Sequence, residues 1–305
     1  MSARATGIAL AFVTALVSGV SIYVNGRAVK HFGDATVYTT AKNAIAGVLL
    51  VALALGLAAR RPRAAAAGPP LGRRRWLALF AVAVIGGSVP FVLFFEGLAR
   101  AEATQAAFIQ KTLVVWVALL AVPLLGERIR GPHVLAIALL VAGQAWLAGQ
   151  LGHVAFGVGE AMILAATLLW SVEVILVKKL LGPALSPSTL AAARMGLGTG
   201  LLLAWLAVTG KFGELTGLTA EQWRWVLLTG LLLTAYVATW YAALARAQAV
   251  DVTAVLVFGA VVTAVLAGAV DGATLNAVGT ILLVAGTAVA VWAGLRSPRA
   301  KEAPA

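Results

Sequence analysis

The chain has 305 residues, of which 62% are hydrophobic and only 11% are charged, and its mean hydropathy is +0.98. This composition leaves too little polar surface for a water-soluble globule of this length. The formal charge of +12 does not indicate nucleic-acid binding, because most basic residues lie in short connections between apolar runs rather than on one folded surface.

Ten runs of about twenty apolar residues cover residues 6–295. Each is long enough to cross a hydrocarbon core of roughly 30 Å as an α-helix. The first run spans about 24 residues, longer than a signal-peptide core, and is therefore predicted to be a retained helix. The predicted helices are 6–30, 36–58, 76–98, 104–125, 132–150, 156–179, 187–209, 223–245, 251–270 and 274–295.

Basic residues in the connections predict the orientation. The connection at residues 60–75 carries six arginines, and alternation of the helices places 15 basic residues on its side of the membrane. About five fall on the opposite side. The positive-inside rule then predicts a multi-pass protein of the cytoplasmic membrane with both termini in the cytoplasm.

Cysteine and histidine usage excludes several kinds of site. The chain has no cysteine, which excludes disulfides and thiolate metal sites. His31, His133 and His153 all fall in predicted loops or at their edges and are too scattered for a catalytic cluster. We therefore expect no metal, no cofactor and no enzymatic centre.

Two short motifs occur twice. Residues 97–103 (GLARAEA) return as 243–249 (ALARAQA), and residues 139–143 (LLVAG) return as 282–286, at offsets of 146 and 143. They predict a five-helix unit written twice, over residues 1–150 and 151–305. Because each unit has an odd number of helices, the second enters the membrane in the opposite direction, which is typical of secondary transporters. The alternative is a larger bundle whose Leu- and Ala-rich helices match by chance.

The end of the fourth helix, residues 120–128 (LAVPLLGER), and the LLVAG motif that follows resemble the EamA branch of the drug/metabolite transporter superfamily. The resemblance covers nearly the whole chain. It departs at residues 269–273 (AVDGA), where the family usually keeps Gly-Glu, and this puts the inner-side turn of the second half in doubt. The resemblance implies a carrier of small metabolites, generally exporting them, with a site between helices 1, 3, 4, 6, 8 and 9.

Five ionisable side chains fall inside predicted helices, where each costs at least about 2.5 to 3.5 kcal/mol unless it meets a partner or water. They are Lys42, Glu96, Lys111, Glu173 and Arg194. In a tight helical hairpin, residues equally distant from the turn lie at equal depth. This geometry predicts three pairs at matched depth: Asn25 with Lys42, Glu96 with Lys111, and Glu173 with Arg194.

The repeat separates these charges into two classes. Lys42 and Arg194 occupy corresponding positions in the two halves and are predicted to be structural, with Glu173 either the ion-pair partner of Arg194 or a proton site. Glu96 and Lys111 have no charged counterpart, which points to substrate chemistry, although an interfacial pair with Arg100 also explains Glu96. The surplus positive charge of the outer half favours a substrate with an anionic group that pairs with Lys111.

Aromatic residues and one interrupted helix complete the predicted site. Trp116, Tyr236 and Trp240 lie on helices that the resemblance places around the cavity, although aromatics near helix ends more often form the interfacial belt. Gly86, Gly87 and Pro90 interrupt the third helix and predict a bend that is either a hinge or a packing device.

The sequence therefore predicts a ten-helix, inverted-repeat carrier that works by alternating access on a small molecule, such as an amino acid, that carries a carboxylate. The candidate substrate-binding residues are Lys111, Glu96, Trp116, Tyr236, Trp240 and Asn25. If transport is proton-coupled, Glu96 or Glu173 carries the proton. The alternatives are an exporter of cationic or hydrophobic drugs, a lipid-carrier flippase, and a channel, which would need a continuous polar stripe. The expected partners are a small-molecule substrate and the lipid bilayer, with no nucleic acid, and the oligomeric state is left open, a monomer included.

Overall fold

The computed structural model describes residues 2–60, 72–98, 100–101, 103–147, 156–182 and 185–296. Every regular element in these ranges is helical. Nine of their helices are long and apolar enough to cross a membrane, and one further apolar helix, Gly131–Leu147, is shorter. The predicted all-α fold with ten membrane helices is confirmed.

We number the membrane helices α1 to α10. They are α1 (Ala3–Ala28), α2 (Ala35–Ala59), α3 (Arg73–Leu98), α4 (Ala103–Lys111 with Leu113–Leu125), α5 (Gly131–Leu147), α6 (Val158–Leu180), α7 (Pro187–Val208), α8 (Ala220–Leu244), α9 (Ala249–Leu256 with Gly259–Asp271) and α10 (Ala277–Arg296). A short helix, Phe212–Thr216, lies between α7 and α8. The observed ends lie within three residues of the predicted ones. The predicted end of α5 at residue 150, and with it the boundary between the two units, falls outside the described residues.

Contacts at the helix ends show that the start of α1 and the end of α10 share one face of the bundle. Arg4 Nη2, at the start of α1, lies 3.0 Å from Asp251 Oδ2. A Cβ on Gly294, near the end of α10, would lie 3.2 Å from Cγ of the same Asp251. We call this side the terminal face and the opposite side the distal face. The start of α6 lies on the distal face, because a Cβ on Gly97 at the end of α3 would meet Gly159 O at 2.7 Å.

Equivalent helices of the two five-helix units make equivalent contacts. α1 packs on α8 and α9 as α6 packs on α3 and α4, while α2 pairs with α7 and α5 pairs with α10. Because α1 begins on the terminal face and α6 on the distal face, the units are inverted relative to each other. This is the arrangement that the repeated motifs predicted.

The LLVAG motif is repeated because its two copies pack against each other. A Cβ on Gly143 would lie 2.9 Å from Leu283 Cγ, and a Cβ on Gly286 would lie 2.9 Å from Leu140 Cγ. Each copy therefore supplies a leucine to the small residue of the other. Small residues let membrane helices approach closely, so this reciprocal contact holds α5 against α10.

The GLARAEA and ALARAQA motifs form equivalent turns after α3 and α8. A Cβ on Gly7 of α1 would lie 2.9 Å from Ala247 Cβ, and a Cβ on Gly159 of α6 would lie 3.0 Å from Ala101 N. Ala101 and Ala247 are 146 residues apart, which is the offset of the motif. In each half, a glycine near the start of the other unit's first helix fits against this turn.

The turn at the end of α9 corrects one expectation. It lies on the distal face, opposite the face predicted to be the inner one, because Asp271 pairs with Arg27 at the distal end of α1. Its geometry also matches the first half: α4 ends at Gly126 with φ 66° and α9 ends at Gly272 with φ 68°. This left-handed conformation favours glycine, which is why the turn persists without the Gly-Glu pair.

The structure shows breaks in α4 and α9 that apolar periodicity did not predict. α4 is interrupted at Thr112, and α9 is interrupted at Val257 and Phe258. Thr112 and Phe258 are 146 residues apart, so the break belongs to the repeat. A run of apolar residues keeps its hydropathy across a break, and hydropathy alone therefore cannot reveal one.

Asp34 anchors the distal end of α2. Its Oδ1 accepts hydrogen bonds from the Thr36 and Val37 N–H groups at 2.7 and 3.0 Å, and its Oδ2 pairs with Lys211. Burial raises the pKa of the Asp34 carboxyl, but the hydrogen bonds from Lys211, Val37 and Thr36 outweigh burial and hold the pKa below its usual value. The carboxylate form is therefore the one that stabilises this end of the fold.

We predict that Asp34→Ala lowers the free energy of unfolding by about 1 kcal/mol, the usual worth of an N-cap. Asp34→Asn keeps the cap, loses only a partly exposed ion pair, and should cost less. Because the pKa is lowered, the ion-pair contribution is present at neutral pH and is lost as the pH falls through the folded-state pKa. Thermal unfolding in detergent at pH 7 and pH 3 tests this, and equal melting temperatures for the wild type and Asp34→Ala at pH 7 would contradict it.

Candidate functional site

A cavity of about 280 Å³ lies between the two units. Its size is at the lower end of small-molecule pockets, which run from roughly 300 to 1,000 Å³. The helices implied by the resemblance line it, and α2 and α7 each add a charged residue, Lys42 and Arg194. The cavity reaches Gly26 and Leu98, at the distal ends of α1 and α3, and extends down to Thr253 in α9.

Lys111 is the charged group on the cavity wall for which the described residues supply no partner. The residue is 9% exposed, lies at the end of the first segment of α4, and forms no hydrogen bond or ion pair with any described residue. A buried ammonium group without a partner is costly. Because Lys111 lies on the cavity wall, water or an anionic ligand in the cavity can solvate its ammonium group.

Lys42 contacts neighbouring residues of the protein, and its assignment as a structural charge stays a prediction. Its Nζ donates to Asn25 Oδ1 at 2.7 Å and lies over the rings of Tyr38 and Phe95 at 4.9 and 4.3 Å. The Tyr38 hydroxyl donates to the same Asn25 oxygen at 2.6 Å, and Asn25 Nδ2 donates to Ser21 O at 2.7 Å. The predicted pairing of Asn25 with Lys42 is therefore present, and the Asn25 amide is largely engaged within the protein.

Glu173 and Arg194 meet through a third residue rather than as a direct ion pair. Glu173 Oε1 accepts a hydrogen bond from the Tyr241 hydroxyl, while Arg194 Nε donates to Gly86 O at 3.1 Å. The Tyr241 ring centroid lies 5.9 Å from Arg194 Cζ. The predicted direct contact is thus wrong, because the Glu173 carboxylate accepts from Tyr241 of α8 and Arg194 Nε donates to the Gly86 carbonyl.

Proline 90 explains why the Gly86 carbonyl is available to Arg194. In an α-helix that carbonyl accepts from the N–H four residues later, and proline has none. Gly86 O instead accepts from Arg194 Nε and from Trp170 Nε1, each at 3.1 Å. The preceding turn, Ala83–Ser88, is a π-helix, a local form that is frequent at functional sites. The predicted interruption of α3 is therefore present, and its role as a hinge stays a prediction.

Glu96 does not line the cavity. It pairs with Arg100, whose Nη1 lies 2.7 Å from Glu96 Oε2, and it accepts from Thr36 Oγ1 at 3.1 Å. The interfacial explanation of Glu96 is the one that the geometry supports. The matched depth of Glu96 and Lys111 does not bring them together, because Glu96 is held by a partner one helical turn away on its own chain segment.

Trp116 also lies off the cavity wall. Its Nε1 donates to Thr112 Oγ1 at 3.0 Å, across the break in α4. Tyr236 and Trp240 do line the cavity, with stacked rings whose centroids are 6.1 Å apart. Trp170, Phe91 and Phe94 form a second aromatic group on the wall, with Trp170 5.6 Å from each phenylalanine ring.

The charges on the cavity wall are unbalanced toward positive. Among the described lining residues, three are basic and one is acidic: Lys42, Lys111, Arg194 and Glu173. Because Glu96 does not line the cavity, the surplus of positive charge on the wall is larger than the sequence predicted. Within the described residues, no three His, Asp or Glu side chains are grouped as metal ligands.

Below the cavity, a cluster of polar contacts closes the terminal face at the connection between α8 and α9. Glu127 accepts from Ala249 N at 2.6 Å and from Val250 N at 3.1 Å. Lys178 Nζ donates to Leu244 O at 2.7 Å and to Ala247 O at 2.6 Å. Asp251 pairs with Arg4 and lies 3.2 Å from His133 Nε2.

Sequence reasoning missed this cluster because its members come from four separate connections and helix ends. The one available signal was Glu127 in the Gly-Glu-Arg turn, which carried the family resemblance but was given no role. His133 was placed in a loop or at its edge, whereas it lies in the first turn of α5 and is 4% exposed.

Comparison with known proteins agrees with this architecture. The chain matches the EamA-like transporter family over residues 5–149 and again over residues 157–292. A solved structure described as "Crystal structure of protein" aligns with a TM-score of 0.73 at 18% identity, covering 92% of this chain and 97% of that one, and shows the fold alone. No curated protein matches the sequence. The two family matches cover most of the chain, and the protein is therefore a multi-pass membrane protein that belongs to the EamA-like transporter family, whose members are transporters rather than enzymes.

Proposed function

We propose that the protein is a secondary transporter that exports small metabolites with an anionic group, such as the carboxylate of an amino acid. The observation that carries this proposal is Lys111, a buried ammonium group on the cavity wall with no partner among the described residues. The surplus of basic residues on the wall supports it. A bound carboxylate would pair with Lys111 and reduce the cost of burying its charge.

The transport cycle is alternating access between the two faces. The cavity reaches residues near the distal ends of α1 and α3, while the polar cluster around Glu127 covers the terminal face. A site covered on one side is typical of a carrier rather than of a channel, which needs a continuous polar path. With the terminal face in the cytoplasm, as the positive-inside rule predicts, the cavity is accessible from outside.

The second candidate is an exporter of apolar or cationic drugs, and the aromatic wall favours it. Trp170, Tyr236 and Trp240 could stack on a planar apolar ligand and attract a cation through their ring faces. A lipid-carrier flippase would use the same wall. An apolar or cationic drug supplies no anion for Lys111, and a net positive substrate would add to the charge surplus that an anion removes.

Uptake into proteoliposomes tests the choice between these candidates. Small carboxylates, amino acids and cationic drugs would be offered at equal concentration, each with and without a pH gradient. We expect accumulation of solutes that carry a carboxylate and none of the cationic drugs. Transport restricted to cations would overturn the proposal, and single-channel current in planar bilayers would replace the carrier with a channel.

Glu173 is the residue that we propose for proton coupling, because it lines the cavity whereas Glu96 lies at the distal interface with Arg100. We predict that Glu173→Gln abolishes the stimulation of transport by a pH gradient. Glutamine has nearly the same shape and can still accept from the Tyr241 hydroxyl, so the fold should be retained. Glu96→Gln is the matched control and should keep the stimulation. An unchanged response to the gradient in Glu173→Gln would end the assignment.

A further inference from the structure

The start of α9 is capped by the other half of the protein. The first N–H groups of a helix lack partners within the helix, and here the N-cap residue, Gln248, makes no side-chain cap hydrogen bond. Glu127, in the turn after α4, supplies both acceptors: Oε1 takes the Ala249 N–H and Oε2 takes the Val250 N–H. The carboxylate also faces the positive end of the helix dipole.

This cap joins the two helices that would have to separate if the terminal face opened. The second segment of α4 and the first segment of α9 pack against each other beneath the cavity. Residues in both segments, Val114 and Leu256, line the cavity floor. A passage from the cavity to the terminal face between these segments therefore has to break the contact between Glu127 and α9.

The inverted repeat predicts where the equivalent contact would lie on the distal face. At the offset of 146, Ala249 and Val250 correspond to Ala103 and Thr104 at the start of α4, and Glu127 corresponds to Ala273. The two turns have the same backbone: Glu127 N donates to Ala121 O at 3.3 Å, and Ala273 N donates to Ala267 O at 3.3 Å. The alanine side chain has no hydrogen-bond acceptor, so the side chain of residue 273 cannot cap α4 as the Glu127 carboxylate caps α9.

We propose that Glu127 is a one-sided latch, whose carboxylate holds α9 against α4 on the terminal face and makes the distally open state the resting state of the empty carrier. The inference rests on the alternating access of the proposed function, but not on the identity of the substrate. Glu127 is a positioning residue, because it acts through the start of α9 and does not line the cavity. Its absence from the second half makes the two faces unequal.

The chain suits a direct test of accessibility because it contains no cysteine. Two single-cysteine reporters lie on the cavity wall: Thr253→Cys toward the terminal face, and Gly26→Cys toward the distal face, where an added Cβ meets nothing within 4 Å. Labelling rates with a membrane-impermeant maleimide would be measured from each face, using inside-out vesicles and intact cells without added substrate.

In the wild-type background we expect rapid labelling of the Gly26→Cys reporter from the distal face and protection of the Thr253→Cys reporter from the terminal face. In Glu127→Gln, one of the two carboxylate oxygens becomes an NH₂ group, which cannot accept a hydrogen bond from the backbone N–H that faces it. This variant should raise terminal-face labelling of the Thr253→Cys reporter by about tenfold or more, the effect of losing a charge-assisted hydrogen bond. Labelling of the Gly26→Cys reporter should fall.

The matched control is Glu160→Gln. Glu160 is also a buried carboxylate that accepts a backbone N–H at a helix start, from Gly157 at 2.9 Å, but within its own helix. This variant should leave both labelling rates unchanged. Wild-type rates in a folded Glu127→Gln variant would overturn the latch, as would an equal shift in Glu160→Gln.

A gain-of-function variant keeps the proposal falsifiable if Glu127→Gln does not fold. Ala273 is exposed, and Ala273→Glu would place a carboxylate at the symmetric position. It should cap α4 on the distal face, lower labelling of the Gly26→Cys reporter and raise that of the Thr253→Cys reporter. Unchanged rates in Ala273→Glu would contradict the latch. Because no substrate is used, these results are independent of whether any solute tested is transported.

Discussion

Replacement of Lys111 by methionine should strongly weaken transport of anionic solutes while the protein remains folded. The variant keeps the length and apolar stem of the side chain and removes the ammonium group that has no partner among the described residues. A hydrogen bond to a charged group is worth about 1.5 to 3 kcal/mol, so the apparent affinity should fall about 10- to 150-fold. Because the burial of an unpaired charge also ends, the melting temperature should not fall.

The control for this variant is Lys179→Met, which removes an exposed lysine at the end of α6. It should transport as the wild type does. Uptake rates and half-saturation concentrations in proteoliposomes separate the two variants. If Lys111→Met transported every anionic solute at the wild-type rate, the anion site would have to lie elsewhere.

The second large effect is expected at Gly87, where α3 crosses α7. A Cβ there would lie 2.0 Å from Arg194 O and 3.2 Å from Gly198 Cα, both backbone atoms that cannot rotate away. Gly87→Ala must therefore push the two helices apart and weaken the Arg194 contact with Gly86 O. We expect a loss of about 3 kcal/mol, the upper end for overpacking, and poor accumulation in the membrane.

Gly200→Ala is the control, because Gly200 also lies in α7 and an added Cβ there meets nothing within 4 Å. It should be as stable as the wild type or slightly more stable, since alanine favours a helix by about 1 kcal/mol over glycine. Thermal unfolding of the purified variants in detergent measures both. A Gly87→Ala protein that melts with the wild type would show that α3 and α7 do not cross at this contact.

The fold could be predicted in most respects because the bilayer limits what a chain can do. Hydropathy locates the helices to within three residues, since each must span the same thickness. The repeated motifs predict the inverted halves because they mark contacts at equivalent places, such as Gly143 with Leu283 and Gly286 with Leu140. The breaks in α4 and α9 left no mark on hydropathy and were missed.

The site could be predicted only in part, because depth along a helix is one coordinate and direction around its axis is another. Equal depth correctly paired Asn25 with Lys42, which face each other. It wrongly paired Glu96 with Lys111, because the Glu96 side chain is held by Arg100 and Thr36 while that of Lys111 lies on the cavity wall. Equal depth also missed Tyr241, whose hydroxyl donates a hydrogen bond to the Glu173 carboxylate.

The terminal-face cluster illustrates a second limit. Glu127 and the start of α9 are 122 residues apart in the chain, and no local pattern connects them. The Gly-Glu-Arg turn stood out as a resemblance, but its partner is a pair of backbone N–H groups, which leave no trace in side-chain chemistry. The absence of a glutamate at position 273, where the chain has alanine, becomes informative only once the turns after α4 and α9 can be compared in space.

If an anion site lies beside Lys111, the purified protein should bind a carboxylate. The best carboxylate from the uptake panel and its uncharged amide would be titrated in detergent, with the shift in melting temperature as the readout. We predict that the carboxylate raises the melting temperature in a concentration-dependent manner and that the amide does not. Equal stabilisation by the acid and the amide would contradict an anion site beside Lys111.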